Sequence, residues 1–337
     1  MRYLGTVKRR GFAVGAITAM TTLTLAACGS STPSSQQAGK PNLTKSGKPV
    51  SVGVIIQTTG IPWYSAVEDG MKAAAAKYTA SVSFVSSNNS VVTEANNIRD
   101  MIVKHPDVIA ITPINSQSSV PAVQSAIKAH IPVVVWNNTL DSTLPASFVG
   151  INNLKYGEDA GKATVPYIQK HMGGNANIGT LTQPGFPIIT QRVNGFKNEV
   201  QTLPGAHIVA TAAYNGTETS AFTALREMLT AHPNINLVYT PNEGATDAAV
   251  PAEQAAHTSA PIVGLDLDTT GEKDLLAAGS LLKVMVTQNP YRIGYDTIRT
   301  AVEVAHHDRV PKQVLVPINV ITASNVKAYV AKWPIPN

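Results

Sequence analysis

The chain has 337 residues, 44% hydrophobic and 14% charged, with 24 Gly, 22 Pro and a single Cys. That length suits one large or two medium domains, each able to bury its own core, and excludes disorder for most of the chain. One cysteine excludes an internal disulfide and a cysteine-based zinc site. The formal charge of +5 loses Arg2, Lys8, Arg9 and Arg10 once residues 1–27 are set aside, leaving 22 basic against 21 acidic side chains and no electrostatic footprint for nucleic acid.

Residues 1–27 read as an export signal: a basic stretch through Arg10, an apolar stretch from Phe12 to Leu25, then Ala26 and Ala27. Thr18, Thr21, Thr22 and Thr24 interrupt the apolar run, which makes it a poor permanent membrane span. Arg9-Arg10-Gly11-Phe12 is similar to part of a twin-arginine signal, but basic residues before an apolar stretch also give this by chance, so the export route stays open. Leu25-Ala26-Ala27-Cys28-Gly29 resembles the bacterial lipobox, in which the cysteine is lipidated and becomes the first mature residue; the alternative for a lone Cys is a small core side chain. Residues 28–48, rich in Ser, Gly, Pro, Gln and Lys, bury too little to fold and are expected to be a disordered tether.

From Val50 short apolar runs alternate with amphipathic stretches. Strands are expected at Val50 to Ile56, Ser81 to Val85, Val108 to Thr112 and Pro132 to Trp136, with helices at Pro62 to Lys77, Val91 to Lys104 and Ser116 to His130 between them. After Gly150 the rhythm resumes. Helices near Tyr156 to Lys170, Ile189 to Gln201, Thr219 to Thr230 and Ala245 to His257 alternate with strands at Ala176 to Leu181, His207 to Ala212, Leu237 to Thr240 and Ile262 to Leu265. Near-continuous apolar strands alternating with helices imply an α/β fold with parallel sheets covered on both faces. His105-Pro106 and Thr112-Pro113 recur as His232-Pro233 and Thr240-Pro241, and Pro132 to Asn137 recurs as Pro261 to Asp266, at a shared offset of 127 to 129 residues. The halves therefore read as versions of one unit, with Asn137 and Asp266 at the carboxyl ends of equivalent strands, where open parallel sheets bind ligands.

The common chemistry-bearing motifs are missing: no G-x-G-x-x-G follows a strand, and G-x-x-x-x-G-K-[ST], G-x-S-x-G and H-E-x-x-H do not occur. His105, His130 and His232 fall at expected helix ends, where an imidazole suits the helix dipole. His306-His307-Asp308 is the one histidine cluster; adjacent helix positions do not face a common centre, so it reads as a solvated helix terminus rather than a metal site. No metal, cofactor or catalytic residue is expected.

In order along the chain, Thr58-Thr59-Gly60-Ile61-Pro62-Trp63-Tyr64, Trp136-Asn137-Asn138, Gln191-Arg192-Val193-Asn194-Gly195-Phe196, Thr240-Pro241-Asn242-Glu243, Val263-Gly264-Leu265-Asp266 and Thr287-Gln288-Asn289-Pro290 resemble the motifs of one family. They are similar to the N-P-F-F, L-D-R, R-x-x-G-F, N-D, V-G-F-D and binding-glutamine segments of the sugar-binding lipoproteins of bacterial ABC importers. These are type I periplasmic binding proteins, and the style is that of the ribose-binding proteins. The resemblance spans about Val50 to Ile321. It implies two doubly wound α/β lobes joined by a three-strand hinge, residues 49–152 plus 289–318 forming the N-terminal lobe and 153–288 plus 319–337 the C-terminal lobe.

The residue chemistry agrees. Trp63 and Tyr64 are suited to the C–H face of a sugar ring, or else cap a helix start. Arg192 and Asp266 are suited to charge-assisted hydrogen bonds with vicinal hydroxyls, or else to an ion pair. Asn137, Asn138, Asn242 and Gln288 carry donors and acceptors that match a hydroxyl, though loop turns also use Asn. Tyr214 lies where the family often places another aromatic. Asn137 and Asn138 stand where ribose binders carry a carboxylate and an arginine, which disfavours ribose and leaves another pentose or hexose, a deoxysugar or a polyol. The resemblance implies a monomeric, exported receptor anchored to the membrane through Cys28, with a small sugar or polyol and an ABC permease as partners and no nucleic acid. The alternative is a receptor for a sugar-like signal coupled to a chemoreceptor or sensor kinase. A lactose-repressor-type regulator would need a helix-turn-helix where this chain has its signal and tether, and an enzyme would need motifs that are missing.

Overall fold

The structure is a computed structural model and describes residues 48–337. The expected export signal, Cys28 and the expected tether up to residue 47 lie outside the described residues. No helix among the described residues is long and apolar enough to cross a membrane.

The first lobe opens with β1 (Val50–Ile56), α1 (Pro62–Tyr78), β2 (Ala80–Ser86), α2 (Val91–Lys104), β3 (Val108–Ile111), α3 (Val120–Lys128), β4 (Val133–Trp136) and β5 (Ser147–Gly150). The second follows with α4 (Asn153–His171), β6 (Asn175–Thr182), α5 (Pro187–Val200), β7 (Gly205–Ala213), α6 (Glu218–Ala231), β8 (Leu237–Tyr239), α7 (Glu243–Ala255), β9 (Ile262–Leu265), α8 (Thr269–Leu276) and β10 (Leu282–Gln288). The chain then returns to the first lobe through α9 (Pro290–Ala305) and β11 (Gln313–Leu315) and ends in the second with β12 (Ile318–Ile321) and α10 (Val326–Val330).

The two sheets have the same plan, β11-β5-β4-β3-β1-β2 and β12-β10-β9-β8-β6-β7. Every pairing is parallel except β10 with β12, which is antiparallel. This is the two-lobed, doubly wound α/β architecture expected from the alternation of elements. The chain passes between sheets at residues 151–152, at 289 and at 316–317. Ile318 already pairs with Gln288 in the second sheet, so the last crossing falls just before residue 318. Each of the first two passages leaves the carboxyl end of a strand and enters a helix of the other lobe within one or two residues. Such short links bring the carboxyl edges of both sheets to face one another.

Burial explains the strand patterns. Central β3, β4 and β9 are buried at every residue, while edge strands β2 and β7 alternate, as strands with one covered face do. The helix expected from Ser116 to His130 is confined to α3, because Asn115 Oδ1 accepts from the Gln117 and Ser118 amides and holds the preceding residues in a turn. Strands β5, β10, β11 and β12 and helices α8, α9 and α10 have no counterpart among the elements assigned from sequence. One close helix pair supports each lobe. A Cβ on Gly70 of α1 would lie 1.9 Å from the Tyr291 carbonyl of α9, and one on Gly157 of α4 would lie 1.9 Å from the Arg192 carbonyl of α5. Only glycine lets these backbones meet so closely.

Candidate functional site

At the carboxyl edge of the second sheet, Asp266 follows β9 with φ of 66°, an unusual conformation for a non-glycine residue. The Tyr156 hydroxyl on α4 lies 2.8 Å from Asp266 Oδ1 and 2.7 Å from the Val286 carbonyl, and it accepts the amides of Asp266 and Gln288 at 3.1 Å. Its one proton and two lone pairs are thus fully used. Gln288 Nε2 donates to Asp266 Oδ1 at 2.9 Å, and Arg192 Nη1 donates to Oδ2 at 3.2 Å. Arg192 is further fixed by Nε to Asn153 Oδ1 and Nη1 to the Pro241 carbonyl, both 2.9 Å, and its guanidinium lies over the Tyr156 ring, 4.9 Å from the centroid.

The motif from Gln191 to Phe196 acquires a physical account here. Gly195 lets α5 meet α4, its hypothetical Cβ falling 2.1 Å from the Leu154 carbonyl. Phe196 stacks on Tyr239 at 3.9 Å and 2°, and the Tyr239 hydroxyl donates to the Arg192 carbonyl at 3.4 Å. Arginine is thereby held from three sides. Burial, with Asp266 adding to it, pushes the Tyr156 phenol well above its ordinary pKa, and burial does the same for Tyr214. Both therefore remain protonated hydroxyls.

The first lobe builds its counterpart without charge. Gln57, at the end of β1, accepts on Oε1 from the Tyr64 hydroxyl at 2.8 Å and from Asn138 Nδ2 at 2.9 Å, and donates through Nε2 to Asn89 Oδ1 at 3.0 Å. Asn138 Nδ2 also reaches the Pro113 carbonyl at 2.9 Å. Asn137 is half-buried at φ of 59°, the same left-handed conformation as Asp266 after the equivalent strand. Trp63 and Tyr64 begin α1 behind Pro62 and meet edge-on at 5.0 Å and 84°, with Trp136 beyond Tyr64 at 6.2 Å. At 7% and 8% exposed they are part of the core, and only a small part of either is open. Burial raises the Tyr64 phenol pKa as well.

The nine residues expected to bind ligand thus fall into two sets. Trp63, Tyr64, Asn137 and Asn138 gather in the first lobe. Arg192, Asp266 and Gln288 gather in the second, with Tyr214 close enough for the charges of Arg192 and Asp266 to act on it. Asn242 spends Oδ1 on capping α7 through the Ala245 amide at 3.0 Å. No hydrogen bond among the described residues joins the two sets. Three polar atoms in them, Trp63 Nε1, Tyr214 Oη and Gln288 Oε1, are buried with no partner, an arrangement that is costly unless a further group satisfies it. Gln57, Asn89, Asn153 and Tyr156 are added by the structure. Gln57 adjoins the quoted Thr58 segment, and its signal in sequence was only its place at a strand's carboxyl end.

Three acids flank the second set. Glu243 opens α7, Asp247 lies one turn on, and Asp268 caps α8 through the Gly271 amide at 2.7 Å. Burial, then the carboxylates of Asp266, Asp247 and Asp268, pushes Glu243 up to about 9; burial, then Asp268, Glu218, Asp274 and Asp266, pushes Asp247 up to about 8.

Comparison with known proteins agrees with this architecture. The ribose import binding protein of Bacillus subtilis is 25% identical over 313 residues, 92% of this chain and 98% of that protein. An ABC transporter solute binding protein from Mycobacterium smegmatis, with bound glycerol, superposes with a TM-score of 0.79 at 25% identity, covering 86% of this chain and 99% of that one. A carbohydrate transporter solute binding protein from Agrobacterium radiobacter, in complex with D-arabinose, gives 0.78 at 24%, covering 85% and 98%. Residues 52–308 match the profile of the periplasmic binding protein domain. With two equivalent sheets facing across three crossings and that profile running through both of them, this chain belongs to the periplasmic binding protein domain family.

Proposed function

We propose that the protein is an extracytoplasmic receptor that takes one small, uncharged, polyhydroxylated ligand, a sugar or polyol, between its lobes and delivers it to an ABC importer permease. Its relatives named for ribose and its structural neighbours holding arabinose or glycerol support this reading, and a receptor of this family performs no chemistry on its ligand. The observation that carries the ligand class is the pair of facing polar sets. One is uncharged, the other holds an arginine balanced by a carboxylate, and within them Trp63, Tyr214 and Gln288 keep buried polar atoms without partners. Such a surface favours a neutral ligand with many donors and acceptors over an ion.

The binding residues we assign are Arg192, Asp266, Gln288, Tyr214 and the free amide of Asn242 on one side, and Asn137, Asn138, Tyr64 and Trp63 on the other. Gln57 and Tyr156 hold them in place. Hinge closure would bring the two sets onto the ligand. The uncharged Asn137 and Asn138 favour a ligand other than ribose. The protein is further proposed to be a monomeric lipoprotein, exported by its first 27 residues and anchored through Cys28. Mass spectrometry of the membrane-extracted amino terminus checks the anchor: a diacylated Cys28 is expected, and an unmodified one rules it out.

Thermal unfolding of residues 29–337 against a panel of sugars and polyols tests the function. A ligand at about 100 times its dissociation constant adds about 2.7 kcal/mol and shifts the midpoint by a few degrees. One strong hit names the cargo. A flat panel with folded protein refutes the sugar or polyol reading.

A further inference from the structure

We propose that Glu243, Asp247 and Asp268 form a binding site for a divalent cation of calcium size that ties the start of α7 to the loop between β9 and α8. One oxygen from each residue lies within 4.8 Å of the others. Oxygens bound to calcium at 2.3–2.6 Å stand up to about 5 Å apart across the ion, so every pair of the three lies within the span of one calcium, and a small closing movement brings all three to it. A magnesium ion at about 2.0–2.1 Å holds opposite oxygens about 4.2 Å apart and demands a tighter cage.

A second observation points to a ligand. Glu243 is 8% exposed, and its Oε2 is buried with no hydrogen-bond partner. A buried carboxylate in that condition is costly unless a cation or a proton meets it. The neighbouring charges that act most on Glu243 are Asp266, Asp247 and Asp268, and those that act most on Asp247 are Asp268, Glu218, Asp274 and Asp266, all acids; Arg192, the cation beside Asp266, is engaged by that carboxylate. The amino-terminal dipoles of α7 and α8 offset part of this charge but supply no donor to Glu243 Oε2. Asp247 is half-buried and gives the site an opening to solvent, as a metal site requires. The acids are spread over two elements, 243 and 247 on one helix and 268 before another, which is why no local metal motif shows in the sequence.

The test is thermal unfolding of the full-length chain, stripped with EDTA and free of any sugar, against CaCl2 with MgCl2 and NaCl as controls. Saturating calcium should raise the midpoint by about 5 °C, more than magnesium does. Glu243→Gln and Asp247→Asn should each remove that rise while unfolding at or above the midpoint of the calcium-free parent, since each replaces an acid that burial and its acidic neighbours disfavour as an anion with a neutral amide of the same shape. Equilibrium dialysis should find one calcium per parent chain and none bound by Asp247→Asn. No rise and no bound calcium in the parent, or an equal rise in parent and both variants, overturns the proposal. So does a Glu243→Gln variant that is more stable while calcium leaves the parent unmoved, which would mean that the acids share protons instead. With no sugar present, failure here leaves the receptor reading untouched.

Discussion

Gln57 and Asp266 occupy comparable places, each a hub at the carboxyl edge of its own sheet, and they solve the same problem with different chemistry. Gln57 gathers Tyr64, Asn138 and Asn89 through a neutral amide. Asp266 gathers Tyr156, Gln288 and Arg192 through a carboxylate. The scaffolds around them repeat closely. The Pro113 carbonyl holds Asn138 in one lobe and the Pro241 carbonyl holds Arg192 in the other. Gln57 reaches Asn89, and 126 residues later Gln183 reaches the Asn215 carbonyl at 3.3 Å. A repeated backbone thus presents an adaptable, uncharged wall on one side and a charge-locked wall on the other. The second wall is the more heavily cross-linked, with Asp266 held by Arg192, Gln288 and Tyr156 in a buried setting.

The sharpest test of that difference removes each strand-end residue. Asp266→Ala leaves Arg192 buried without its counter-charge and should lower the unfolding free energy by about 3–5 kcal/mol while abolishing ligand binding. Asn137→Gly keeps the positive φ and loses only a half-buried amide, so its stability should change by less than about 0.5 kcal/mol, with affinity reduced about tenfold. Urea melts and calorimetric titrations with the tightest ligand of the panel measure both. If the two variants lose similar stability, the second lobe is not locked by charge.

Much of this architecture could be read beforehand. Near-continuous apolar strands separated by amphipathic helices gave the α/β class, and the shared offset of Pro132 to Asn137 and Pro261 to Asp266 located two equivalent strand ends. What could not be read was partnership. Nothing local marks Gln57 as the hub of the first lobe or Tyr156 as the hydroxyl that ties β9 to β10, because their partners lie up to 132 residues away. Nor does sequence tell that Trp63 and Tyr64 lie largely in the core, since a helix-start aromatic is compatible with either face. Strands β11 and β12, of three and four residues, carry too few side chains for a period to show.

The helix pairs offer a second comparison. Gly157→Ala and Gly70→Ala each force a Cβ onto a carbonyl oxygen across a helix contact, and each should destabilise by about 1–3 kcal/mol. Only Gly157→Ala displaces the backbone of Arg192, so it alone should also weaken ligand binding strongly. Equal losses of affinity would mean that the arginine is not positioned through this contact. A finer contrast lies in the hubs' tyrosines. Tyr156→Phe strips an acceptor from two buried amides and should lose about 1–3 kcal/mol, against about 1 kcal/mol for Tyr64→Phe, whose hydroxyl makes one bond to Gln57. Denaturation midpoints for the pair decide it.

The smallest expected effect concerns a feature the lobes share. Glu94 and Glu253 are fully buried, and each accepts one loop amide on Oε2, Ile114 at 2.7 Å and Ala260 at 3.0 Å, while Oε1 has no partner. Burial raises both pKa values above the ordinary 4.5, opposed by Ser119 and the Ile114 amide at Glu94 and by Thr258 and the Ala260 amide at Glu253. A carboxyl whose folded pKa is raised binds its proton more tightly in the folded state. Its contribution is complete below 4.5 and is lost as pH climbs through the raised folded value. Stability should therefore decline with pH over that window, and Glu94→Gln or Glu253→Gln should flatten the decline while keeping an acceptor for the loop amide. Urea midpoints followed across the acidic to neutral range measure this. Unchanged slopes in both variants would show that the buried acids do not titrate there, whereas flattening in one alone would mark the lobe whose loop is held by a protonated carboxyl.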